Sequence, residues 1–175
     1  MIRFHTIILL LSIALESSGQ GTYGQVMTKA DTLELLDFAQ AFGQAMNSND
    51  VDRIRAMSLE IVHCHLCIDD PIPPTTYETF YTELDTFIHA AYREPALLKL
   101  WSVMETEKEM INAVTLKKPF QQKELKGLDQ VTILEVFFTT LKRDEYAKGH
   151  EGASTALQFV QVGDEFKFYG IDTVP

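Results

Sequence analysis

Positive charge is scarce in this chain of 175 residues, where 15 Lys and Arg face 25 Asp and Glu for a formal net charge of −10. A surface of that sign repels phosphate backbones and anionic lipid, which argues against nucleic acid and polybasic membrane docking. Long apolar runs are also missing. The most apolar stretch, Ile7 to Leu15 broken only by Ser12, is less than half of the roughly 20 residues a spanning helix needs. Cysteine is limited to Cys64 and Cys67. A chain this long buries roughly 70% of its unfolded surface, so its core needs no staples. Linear catalytic signatures are absent: no Gly-x-Ser-x-Gly, phosphate-binding glycine loop, dinucleotide fingerprint or His-Glu-x-x-His occurs. No cofactor is therefore expected. No internal repeat or low-complexity linker divides the chain, and hydrophobic residues at 46% are ordinary for one globular domain.

The N-terminus carries an address. Arg3 and His5 make a short basic start, Ile7–Leu15 an apolar segment, and Glu16 to Gly21 a small, polar exit. These are the three parts of a secretory signal peptide. Residues 1–21 are read as that signal, with cleavage near Gly19–Gly21, and the mature chain as secreted or periplasmic. Removal takes one charge of each sign, Arg3 and Glu16, so the net charge of −10 persists. No membrane insertion is expected after the signal is gone.

Residues 22–30 are read as a flexible segment and 31–175 as one α+β domain. Asp31 with Glu34 has capping-box spacing and predicts a helix from Asp31 to Met46, with Leu35, Phe38, Phe42 and Met46 on one face. Asn49 or Asp50 caps a short second helix that turns Val51, Ile54 and Met57 inward. Residues 60–68 read as a strand and the prolines at 71, 73 and 74 as a loop. Thr75 with Glu78 opens a helix reaching Ala91, and Pro95 either kinks it or starts another through Thr106. Strands are predicted over 110–117, 131–143, 153–162 and 165–172, the last two joined by the hairpin pair Gly163-Asp164. Helices first and strands last predict an α+β fold, with N-terminal helices packed on one face of a curved, mainly antiparallel sheet.

This order resembles the nuclear transport factor 2-like superfamily, the cone-shaped α+β fold of ketosteroid-isomerase-like and polyketide-cyclase-like proteins. The helical opening Thr32–Met46, the helix–strand step Asp50–Cys67 and the terminal hairpin Phe159–Asp172 carry the resemblance. It implies a cone-like domain over nearly the whole mature chain. The superfamily holds enzymes, small-ligand binders and dimerisation modules on one scaffold, so the resemblance selects no activity.

The densest chemical cluster is His63-Cys64-His65-Leu66-Cys67. Three readings are open. His63, His65 and Cys67, with Cys64, are donor types that suit zinc or copper. Cys64 and Cys67 are a disulfide candidate in an exported chain, provided the strand turns at Leu66, because i and i+3 on a strand face opposite ways. Asp69 and Asp70 speak against a redox-catalytic thiol, since their charge raises a thiol pKa. The third reading takes Val62, Cys64, Leu66 and Ile68 as the buried face of a strand, with free cysteines as small hydrophobes. It asks least of the residues and is the expectation.

Glu135 stands between Ile133 and Phe137 on one face of an otherwise apolar strand. Placed inside a concave pocket it would act as general acid or base. Tyr169 and Asp172, with His150 in the preceding loop, could reach the same pocket mouth. Trp101, Phe137 and Phe138 are candidate ligand contacts, and the adjacent phenylalanines must face opposite sides of the sheet. One packs under the helices, and the other is a candidate contact for a homodimer through the sheet. The leading expectation is an exported module that binds an apolar small molecule or a protein partner without chemistry. Its alternatives are an acid–base enzyme of the isomerase, cyclase or hydratase kind using Glu135, with Tyr169 or His65 assisting, and a metal- or redox-linked protein using residues 63–67.

Overall fold

A computed structural model describes residues 28–67, 80–104, 110–117, 120–145 and 147–174. In chain order the elements are helices α1 (Lys29–Ser48) and α2 (Val51–Ala56), then strand β1 (Ser58–Cys64), closed by a 3-10 turn at His65–Cys67. Strand β2 (Tyr81–Glu83) and helices α3 (Leu84–Ala91) and α4 (Pro95–Val103) follow. The chain ends in strands β3 (Met110–Lys117), β4 (Gln130–Leu141), β5 (Ala153–Val162) and β6 (Glu165–Val174). The six strands form one mixed sheet in the order β2-β1-β6-β5-β4-β3, antiparallel except for the β1–β6 pair. The fold is α+β.

The first helix starts earlier than its sequence suggests. Thr28 is the N-cap, its hydroxyl accepting from Asp31 N at 3.2 Å while Asp31 Oδ2 accepts from Thr28 N at 3.0 Å. Asp31 is thus the reciprocal partner in the capping box and not the cap itself, and residues 28–30 belong to the cap and first turn of the helix. The proposed signal, residues 1–21, and most of the segment 22–30 lie outside the described residues. At the other end Asn49 adopts φ 54° and stops the helix. Asp50 Oδ1 then accepts from Arg53 N at 3.1 Å and starts α2.

The helix expected from Thr75 to Ala91 is found from Leu84 to Ala91 and is corrected over Tyr81–Glu83. Tyr81, Thr82 and Glu83 pair antiparallel with His63, Val62 and Ile61, and the helix begins only at Leu84. Local 3.6 spacing is overridden there by a strand pairing some twenty residues back in the chain. Residues 68–79, which hold the Thr75–Glu78 pair and the three prolines, lie outside the described residues. Pro95 sits at the start of α4, where its missing N–H costs nothing.

The helices cover one face of the sheet. Leu35, Phe42 and Met46 of α1, Phe87 of α3 and Leu97 and Leu100 of α4 are fully buried against Val136, Phe159, Phe168 and Ile171. Phe42 stacks on Phe168 at 4.3 Å between centroids, and Phe87 lies 5.1 Å from the same ring. Each such side chain contributes about 1.5–3 kcal/mol through its removal from water. A smaller cluster occupies the opposite, outer face: Leu59, Val131, Ile133, Val160 and Tyr169 beneath Leu125 from the turn before β4.

Candidate functional site

The outer face carries a row of polar side chains that crosses the sheet. Strand register sets it: Asn112 on β3 is opposite Glu135 on β4, Glu135 opposite Gln158 on β5, and Gln158 opposite Gly170 on β6. Gly170 in turn is opposite His63 on β1. Asn112 Nδ2 donates to Glu135 Oε2 at 3.1 Å and Gln158 Nε2 donates to Glu135 Oε1 at 2.9 Å. Gln158 and His63 thus flank Gly170 from either side. The row is buried from Glu135 to His63, with His63 1%, Gln158 3% and Glu135 8% exposed, while Asn112 at its β3 end is exposed.

Two features of β6 make the row possible. Phe168 is opposite Phe159, yet Gly170 is opposite Gln158, so Tyr169 is an extra residue and β6 bulges. The bulge lets Phe168 and Ile171 both face the helices while Tyr169 joins the outer cluster. The second feature is the absence of a side chain at 170. A Cβ there would collide with the His63 carbonyl and lie 2.6 Å from the His63 Cβ. Glycine permits β1 to approach and leaves Gln158 in reach of the imidazole.

Burial pushes the His63 imidazole down to about 4, against the opposing pull of the Asp172 charge, the Ile171 backbone and the Gln158 side chain. His65 adds to the downward push. At neutral pH the imidazole is therefore uncharged. Both carboxyl oxygens of Glu135 are taken up by amides, and these bonds tie β3, β4 and β5 into one register. Beside it the Tyr81 and Tyr169 hydroxyls hydrogen-bond to each other.

The cysteines are joined. Cys64 ends β1, the 3-10 turn reverses the chain over His65–Cys67, and the Cys64–Cys67 disulfide closes with Cα atoms 5.3 Å apart. The strand expected over 60–68 is present to Cys64 and is corrected over His65–Cys67, as are the free, strand-buried thiols that followed from it. Cys64 alone belongs to the buried helix-side face, and the turn at Leu66 removes the i, i+3 obstacle. The metal candidates do not converge among the described residues. Cys67 has no thiolate to offer, His63 is buried in the row, and His65 is exposed, with Nδ1 3.4 Å from Thr173 Oγ1 and its ring against Phe80. Among the described residues no group of three His, Cys, Asp or Glu could hold a metal ion.

The other sequence candidates disperse. Trp101 is core: its Nε1 donates to Ala91 O at 3.1 Å and its ring meets the Phe42 edge. Phe138 is buried on the helix side, and Phe137 is half-buried on the outer side opposite Met110, which is 65% exposed. Tyr169 is fully buried, and His150 is held within its own loop, its Nδ1 accepting from Gly152 N at 3.0 Å. Asn112, Gln158 and Gly170 carry no signal in the sequence. Each is an ordinary strand residue until register sets it beside Glu135 or His63. No protein-family model, curated protein or solved structure matches the chain.

Proposed function

We propose that this chain is an exported α+β interaction module that engages a protein through its sheet and performs no chemistry of its own. One observation carries the reading: among the described residues, aromatic side chains pack the space between helices and sheet. Phe42, Phe87, Phe159 and Phe168 are fully buried there, in ring contact with one another and with Trp101. A small-molecule site is a concave chamber of hundreds of cubic ångströms with a few convergent polar groups. Here the convergent polar groups lie on the other face, where Asn112 and Gln158 bond Glu135. Glu135 spends both oxygens on amides, which suits a structural anchor better than an acid or base that must meet a substrate.

Export is supported by the three-part N-terminus and by the Cys64–Cys67 bridge, a bond that persists in oxidising compartments. The likeness to the nuclear transport factor 2-like superfamily stays part of the proposal, supported by the one-sided helices and the terminal hairpin. No helix among the described residues is long and apolar enough to cross a membrane.

Native and denaturing mass spectrometry of the protein recovered from its producing cells tests the reading. The expected result is a chain shortened near residue 21, without titratable thiols, and free of any bound small molecule. A stoichiometric organic ligand lost on denaturation would overturn it.

A further inference from the structure

We infer that the partner at the sheet is a second copy of this chain, joined by antiparallel pairing of the two β3 strands about a twofold axis at Ala113. The inference rests on the interaction-module reading and adds the partner and the edge. β3 is the terminal strand of the sheet. Natural sheets guard such edges with short strands, charges, proline or bulges. The opposite edge is guarded, since β2 has only 3 residues and ends in Glu83. β3 carries its one charge, Lys117, at its last residue. It is 8 residues long, its register with β4 runs unbroken from Met110–Phe137 to Lys117–Gln130, and Met110 to Leu116 includes neither charge nor proline.

The strand is self-complementary when turned on itself at Ala113. Met110 then stands opposite Leu116 of the second copy, Ile111 opposite Thr115, and Asn112 opposite Val114. Opposed residues of an antiparallel pair share a face, so the two outer faces join into one surface. Met110, 65% exposed beside Phe137, gains an apolar cross-strand neighbour in Leu116. Charge selects the same direction. Parallel pairing in register would set Lys117 of one copy beside Lys117 of the other, whereas antiparallel pairing about Ala113 places the two at opposite ends of the joined strands.

The test compares the mature wild-type chain with Thr115→Lys and Leu98→Lys by sedimentation velocity over a concentration series. Thr115 and Leu98 are both exposed, the first on β3 and the second on α4, so neither change disturbs the core; circular dichroism verifies this. The wild type is expected to dimerise, Thr115→Lys to weaken the dimer by about tenfold or more by placing a charge of each copy at the edge, and Leu98→Lys to leave it unchanged. Hydrogen exchange adds a direct reading: β3 amides gain protection only as the dimer forms. A dimer indifferent to Thr115→Lys, with β3 exchange independent of concentration, overturns the inference while an interaction module remains. A chain monomeric at every concentration and free of ligand also overturns it, leaving a foreign protein as the partner. A monomer carrying a stoichiometric apolar molecule overturns both readings.

Discussion

Gln158 stands directly opposite Glu135 on the neighbouring strand and donates Nε2–H to its Oε1 at 2.9 Å, with His63 on the far side of Gly170. The amide and the carboxyl group meet where both are nearly shielded from water. A buried polar row is stable only when its members are satisfied together, so the link concerns stability before anything else.

Gln158→Leu removes a hydrogen-bond donor from the buried Glu135 carboxyl group. The expected cost is about 1–3 kcal/mol, the penalty for leaving buried polar groups short of a hydrogen bond. Urea unfolding should show a lower midpoint with an unchanged slope. An unchanged midpoint would mean that the row is wet or unformed.

His63 makes stability depend on pH in a defined window. Its folded-state value, about 4, lies below the ordinary 6.5. Between those values the unfolded chain binds the extra proton, so stability is full above about pH 6.5 and declines as pH falls toward 4. The full shift is worth about 3 kcal/mol. His63→Gln should flatten the curve over that window relative to wild type, measured by chemical denaturation at stepped pH. Parallel curves for the two proteins would show an imidazole that is solvated in the folded state.

Gly170→Ala should be among the most disruptive small substitutions. The added methyl meets the His63 backbone, which cannot move without separating β1 from β6. A loss of about 2 kcal/mol or more is expected, as for other overpacked sites. The neighbouring turn offers a contrast, because a side chain at Gly163 would meet only open space and the φ of 64° alone sets the cost. Thermal melting of both variants should place Gly170→Ala well below Gly163→Asn, since asparagine is tolerated at positive φ.

Much of this architecture is legible from spacing. The apolar periodicity of α1, the Asp50 cap, the Gly163-Asp164 hairpin and the opposite orientations of Phe137 and Phe138 all follow from local pattern. What sequence could not supply is register. Glu135 stands out alone in an apolar strand, but its partners come from strands that end 18 residues before it and begin 18 after it. Nothing local distinguishes Gln158 from a solvated strand glutamine. Cys64 and Cys67 show the same limit: extended chain forbids their bond, and only the turn at His65–Cys67 permits it. The strand at Tyr81–Glu83 was hidden because its partner, β1, overrides a helical period.

Reducing the Cys64–Cys67 bridge should have a modest effect. The ring it closes is short, and chain entropy assigns such a loop about 2 kcal/mol. Cys67→Ala should therefore lower stability by that order and leave the fold intact by circular dichroism. Alkylation of the unreduced, unfolded wild type should label neither cysteine; labelling of both would show free thiols.

The claim at the centre of this account is that side chains fill the space between helices and sheet, and Trp101 reports on that space directly. Its ring is 3% exposed and lies against Phe42. The decisive measurement is a titration of the mature protein with long-chain fatty acid and with an apolar fluorescent dye, followed through Trp101 emission. The account predicts no saturable change with either. A saturable, one-to-one response from Trp101 would reveal a ligand chamber and contradict the reading of this chain as an interaction module.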